Sequence, residues 1–278
     1  MSNRGYNYPT LVLIYLSLIV LGFFFFLPFY WVIISSLKDY RELFKIPPTW
    51  FPSRIMWINY PRALTYIPFL MYLKNTIYYC GFSIIGTLLS SSLVAYSLSR
   101  VRWRGREILF IFIISTMMIP FFVTMIPLFI LFRHFGWINS YKPLIVPAFF
   151  GNPFYIFLLR QFFRTIPMDL SDSAKVDGAN EFLIYSRIVL PLTKPALTVV
   201  VLFEFLGRWN DFTGPLIYLR DRELFPIALG LREFLSLYQA QWSLLMAASA
   251  VVTVPIVILF FFTQKTFIEG ITFTGLKG

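Results

Sequence analysis

Apolar and polar positions along the chain fall into long blocks, with none of the period-two alternation of membrane strands. Residues 11–34 carry no charge, and as a helix they would be about 36 Å long at roughly 1.5 Å per residue, enough for a hydrocarbon core of about 30 Å. Further apolar runs follow at 69–98, 108–132, 144–159, 196–219 and 244–263, predicting six spans. A bilayer offers no partner to an open sheet edge, so the expected fold class is all-α. The chain reads as a polytopic membrane protein with six transmembrane helices in one domain, residues 1–278. The first run is too long for a cleaved signal peptide and has no small-x-small site after it, so a retained helix is expected.

Prolines inside the runs (Pro28, Pro120, Pro127, Pro147, Pro153, Pro255) each remove a backbone donor and predict kinks. Small residues cluster at Gly86 with Ser90, at residues 90–92 and at residues 247–250, where helix backbones are expected to approach closely.

One polar interruption stands out, at residues 167–195 between two apolar runs. Asp169, Asp172, Asp177 and Glu181 surround Gly178 and Ala179, with Phe182, Leu183, Ile188, Val189 and Leu190 close behind. A short helix is expected over 170–176, broken by Gly178, and a second from the cap Asn180 to about Val189, ahead of Pro191. Phe182, Tyr185, Ile188 and Val189 fall on one face at helical spacing, a strip suited to a partner groove. An amphipathic loop lying on headgroups is the other reading of the same pattern.

Composition agrees with lipid as the main solvent: 58% of residues are apolar and 13% charged, against roughly 45–50% and 25% in soluble domains. The net charge of +11 is spread over the ends of apolar runs and not gathered on one soluble face, which argues against a nucleic-acid partner. Arg100, Arg102, Arg104 and Arg106 form the densest basic cluster, in a short loop expected to be cytoplasmic and to touch anionic headgroups. That orientation places both termini and residues 167–195 in the cytosol. A lone Cys80 excludes an internal disulfide and leaves no cysteine cluster for a metal.

The interruption resembles the EAA loop of permease subunits from binding-protein-dependent ABC importers, where an acidic-Ala-Ala start precedes a Gly and a later Ile-x-Leu-Pro. Asp172, Ser173 and Ala174 stand at the start, with Asp for Glu and Ser for Ala; Asp177, Gly178 and Ala179 stand at the centre; Ile188 to Pro191 close it. The likeness extends to Asn75 and Thr76, residues 95–100, Gly105, Ile119 and Pro120, residues 157–167, 209–212 and 270–278, which look like the carbohydrate branch often called the MalG type.

The resemblance implies half of a translocation pathway for a sugar or oligosaccharide, with a coupling loop at about 165–192. Asp172, Ser173, Ala174, Asp177, Gly178, Ala179, Asn180, Phe182, Ile188, Leu190 and Pro191 are the implied ATPase contacts. Implied partners are a second, MalF-like permease, two cytosolic ATPases that hold Mg-ATP, an extracytoplasmic solute-binding protein and the lipid of a prokaryotic inner membrane. No cofactor or metal is expected in this chain, which lacks a G-x-x-x-x-G-K-[ST] loop and is not expected to be an enzyme.

Glu204 lies deep in an apolar run, where an ionisable group costs at least about 2.5 kcal/mol unless it meets water or a partner. Arg208, one turn on, offers a structural partner. Glu204 with Trp209, Asn210 and Asp211 forms the candidate substrate pathway; Trp209 also suits an interfacial anchor. His134 reads as an interfacial residue. An ion-coupled secondary transporter is the rival function, weakened by Glu204 being the only acid deep in a span. An importer of a phosphorylated polyol such as glycerol phosphate also stays open, while one histidine and one cysteine leave little for an intramembrane enzyme.

Overall fold

Tyr8–Ser36 forms a 29-residue helix that buries only Ser35 and Ser36, at its end. A helix apolar on every side has no soluble face to present and suits lipid or a partner helix. The computed structural model describes residues 7–235 and 240–275, with side chains through Gln264. The closing run 270–278 of the family likeness lies beyond these side chains, and residues 276–278 lie outside the described backbone. The described residues are helices and connecting turns apart from one isolated antiparallel bridge, Leu235 with Ala240.

Among the described residues, four helices are long and apolar enough to cross a membrane: Tyr8–Ser36, Phe69–Ser99, Lys142–Phe163 and Trp242–Gln264; two bent pairs bring the number to as many as six. The expected span 108–132 is not one straight helix. Arg106–Met118 and Phe121–His134 meet at 97° where Ile119 is extended and Pro120 begins the next helix. Proline disfavours the α conformation for the residue before it and withholds its own donor, and the break falls at that pair. The expected span 196–219 is likewise divided, into Lys194–Trp209 and Thr213–Tyr218.

Packing divides the chain into two compact units, residues 1–68 with 231–254 and residues 69–230 with 255–278. In the first, the connection after Tyr8–Ser36 is tied down by polar side chains. Asn59 Nδ2 donates to the Ser36 and Lys38 carbonyls at 2.8 and 3.1 Å, and Ser36 Oγ lies 2.8 Å from the Tyr60 hydroxyl. Lys38 is buried, donates to the Thr49 carbonyl and lies over the Trp31 ring. Burial draws its ammonium below the usual lysine range, against the pull of Glu42. Tyr66 stacks on Phe234 with centroids 5.2 Å apart.

The second unit is built on Phe69–Ser99, a 31-residue helix packed by Pro153–Phe163 and Lys194–Trp209. Its small residues admit a short 3-10 turn, Val146–Phe150, against the backbone. A Cβ at Gly86 would sit 2.6 Å from the Phe149 ring, Ser90 Oγ donates to the Ala148 carbonyl at 2.9 Å, and Asn152 N–H donates to Ser91 Oγ at 3.1 Å. Arg160 fixes the next helix by donating to both Glu107 carboxylate oxygens at 2.7 Å and to the Leu98 carbonyl at 3.2 Å.

Candidate coupling loop and buried charge network

The polar interruption folds as two short helices around a tight turn, for reasons local to its sequence. Asp169–Val176 has Asp169 and Asp172 in its first turn and Lys175 in its last, each sign favourable to the helix dipole. The end is a Schellman motif: Gly178 N–H donates to the Lys175 carbonyl at 3.0 Å, Ala179 N–H to the Ala174 carbonyl at 2.9 Å, and Gly178 has φ +83°. No atom of the described residues stands within 4 Å of where a Cβ at Gly178 would lie, so backbone conformation, and not packing, is what calls for glycine. Asn180 Oδ1 then accepts from the Leu183 N–H at 2.8 Å and caps Glu181–Ile184.

The second helix departs from the expected regular α-helix. A π-helical turn, Tyr185–Val189, separates Glu181–Ile184 from Leu190–Leu192. One residue more per turn rotates the rest of the helix by about 100°. The apolar strip expected from Phe182 through Val189 is therefore split. Tyr185 and Val189 are buried in this chain's own core, while Phe182 stays 70% exposed. The exposed large apolar side chains of the loop are Leu170, Val176, Phe182 and Leu192, with Val176 at 89%.

Around the turn, Asp172, Ser173, Asp177, Gly178 and Asn180 are exposed, as is Pro191. Ala174, Ala179, Ile188 and Leu190 instead pack against a core that includes Tyr96, Leu159, Phe163, Ile184, Tyr185 and Val189. The turn is thus presented outward while both helices are keyed into the spans.

Polar contacts complete that keying, through residues whose role the sequence did not show. Tyr96 donates to Glu181 Oε2 at 2.6 Å, and Glu181 Oε1 meets Lys175 Nζ at 2.7 Å. Ser92 Oγ lies 2.7 Å from the Tyr185 hydroxyl. Arg100, 3% exposed, donates to the Ile166 and Pro167 carbonyls at 2.6 and 3.0 Å and to Ser171 Oγ at 2.6 Å. Burial lowers the Arg100 guanidinium from its usual range, against the attraction of Tyr96, Asp172 and Glu181. A basic residue one step past an apolar run was visible in the sequence; its partners 63 and more residues away were not.

The second cluster lies within the spans. Glu204, 4% exposed, accepts from Arg208 Nε at 2.7 Å; Arg208 Nη1 reaches the Tyr79 hydroxyl at 3.0 Å. The Tyr79 hydroxyl donates to Asp211 Oδ2 at 2.7 Å, and Asp211 Oδ1 accepts from the Gly214 N–H at 3.0 Å. Two acids and one base are joined through a tyrosine. Trp209 is 3% exposed and stacks on Phe205, with ring centroids 5.0 Å apart. Asn210 is exposed and donates to the Leu206 carbonyl at 2.8 Å. Of the four candidate pathway residues, Asn210 is the one that presents an open side chain; His134 is exposed at the end of its helix.

Comparison with known proteins adds a consistent set of relatives. Residues 86–272 match the family described as binding-protein-dependent transport system inner membrane component. The chain is 35% identical to the arabinooligosaccharides transport system permease protein AraQ of Bacillus subtilis (strain 168), over 95% of this chain and 94% of AraQ. It is 30% identical to the trehalose/maltose transport system permease protein MalG of Thermococcus litoralis, over 96% and 97% of the two chains. Its fold is similar to a chain of a bacterial ABC transporter crystal structure, a protein involved in the import of the acidic polysaccharide alginate. That likeness has a TM-score of 0.81 and 25% identity, and covers 95% of this chain and all of the other. The match spans the turn, its buttresses and the helices they lock together, and the chain belongs to the binding-protein-dependent transport system inner membrane component family.

Proposed function

We propose that this chain forms half of the translocation pathway for a sugar or oligosaccharide and that residues 177–180 dock on a cytosolic ATPase. As a family member it is a multi-pass membrane subunit of an ATP-driven importer that works with a permease partner, ATPases and a solute-binding protein. The observation that carries the docking assignment is the turn itself: a Schellman-locked, outward-facing loop whose flanking helices are bonded to the Phe69–Ser99 helix through Arg100, Tyr96 and Ser92. Displacement of the turn then moves the span behind it as a unit, because packed cores shift between discrete arrangements and do not deform smoothly.

In this reading the second permease is MalF-like, two ATPases hold the Mg-ATP, and both termini lie in the cytosol with the coupling loop. The names of AraQ and MalG favour carbohydrate over a phosphorylated polyol. Cysteines introduced at Asp177 are expected to crosslink to the ATPase in the assembled complex and to resist an impermeant thiol reagent added to intact cells. Labelling from outside overturns the assignment. ATP-dependent uptake of labelled oligosaccharide into vesicles carrying the full complex, absent with glycerol phosphate, tests the solute class.

A further inference from the structure

Arginines gather where the Phe69–Ser99 helix ends. Arg102, Trp103, Arg104 and Arg106 line an open surface depression of about 390 Å³. A second, of about 200 Å³, is lined by Ser99, Arg100, Arg102, Arg106, Arg164 and Met168. The two share Arg102 and Arg106, and Arg164 arrives at the end of the Pro153–Phe163 helix. Among the described residues no carboxylate pairs with Arg102, Arg104 or Arg164; Glu107 is engaged by Arg160 at 2.7 Å and meets Arg106 at 3.4 Å. Arg100 also lines the second cavity, and its buried Nε has no hydrogen-bond partner among the described residues. Guanidinium groups crowded without counter-charge repel one another, and their planar forks fit the oxygens of a phosphate.

We propose that these arginines bind the phosphate of an anionic phospholipid headgroup. The lipid source is favoured by what adjoins the site. The helix that starts at Arg106 exposes Ile108, Ile111 and Phe112 by 63%, 63% and 65%, on one face at helical spacing. Acyl chains of a bound lipid have an apolar wall to follow, for which a soluble phosphate has no use. Trp103, 37% exposed beside the arginines, is the amphipathic ring expected at headgroup depth. Basic pockets between helices at a cytoplasmic surface suit such headgroups, and the inference rests on the cytosolic placement proposed above. Arg100 joins this pocket to the start of the coupling helix through Ile166, Pro167 and Ser171, so a bound lipid braces the segment that receives the ATPase.

The test uses the assembled importer in nanodiscs of phosphatidylcholine with rising phosphatidylglycerol, comparing wild type with Arg102→Gln/Arg164→Gln. Neither side chain makes a hydrogen bond among the described residues, so the fold is not at stake. Wild type is expected to retain phosphatidylglycerol by native mass spectrometry. The double variant should bind it about 25-fold more weakly, at roughly five-fold per basic residue, and need proportionally more of it for full ATPase activity. Arg102→Lys/Arg164→Lys should recover most of the loss. Equal retention by wild type and the Gln variant overturns the proposal. So does binding of inorganic phosphate with no preference for the lipid, and so does loss of the ATPases from the Gln variant at every lipid composition. Failure of the cytosolic placement is read separately, by labelling of an Arg104→Cys variant from outside intact cells, because nanodiscs open both faces to lipid.

Discussion

Tyr96 and Glu181, 85 residues apart in sequence, are joined by a 2.6 Å hydrogen bond from the phenol to a carboxylate oxygen. The same carboxylate holds Lys175 across the turn at 2.7 Å, so one side chain ties both short helices to the long one. Tyr96→Phe keeps the ring packed on Tyr185 and removes only the tie. The expected cost is about 1 kcal/mol, since Glu181 is partly solvated. ATP hydrolysed per solute imported should rise in reconstituted vesicles, with the subunit still assembled. An unchanged ratio would show that the tie transmits nothing.

Gly178 holds φ +83°, which disfavours any residue with a Cβ by about 1–2 kcal/mol. Gly178→Ala is therefore expected to loosen the turn, and Gly178→Pro to break it, because proline fixes φ near −65° and lacks the N–H given to Lys175. ATPase activity should persist in both while uptake falls, more steeply in the proline variant. Normal uptake in the proline variant would remove the turn from the coupling path.

Glu204 and Arg208 pair at 2.7 Å with the carboxylate 4% exposed. Glu204→Ala leaves the cation facing Tyr79 without its acid and should destabilise the complex by about 3–5 kcal/mol. Glu204→Gln/Arg208→Gln removes both charges and should recover much of the thermal midpoint measured in detergent. Asn210→Ala, at an open position, should leave that midpoint unchanged and alter uptake rate or selectivity. Loss of selectivity in the double Gln variant with a wild-type midpoint would assign the pair to the solute.

A Cβ on Gly86 meets the Phe149 ring at 2.6 Å. Gly86→Val should cost about 1–3 kcal/mol through overpacking. Adding Phe149→Ala opens the space and should restore part of the lost thermal stability. Additive losses in the double variant would mean that the two positions are not in contact.

Apolar blocks long enough to cross a bilayer, and the turn between them, were determined by sequence alone. The reason is range: span length depends on a continuous run, and the Gly178 and Asn180 caps depend on residues three to five positions away. The 97° bend at Pro120 was legible as a proline but not as a corner, because proline in a membrane helix also permits a mild kink. Only the tertiary structure decided that Tyr185 and Val189 turn inward while Phe182 stays out, since a π turn changes the period on which any strip is read. The Glu204–Arg208 pair was legible from its one-turn spacing, but the tertiary structure alone placed Trp209 in the core, joined that pair through Tyr79 to Asp211 and brought Arg100 to Ile166. Those outcomes turn on which distant surface reaches a side chain first, and nothing local in the sequence carries that information.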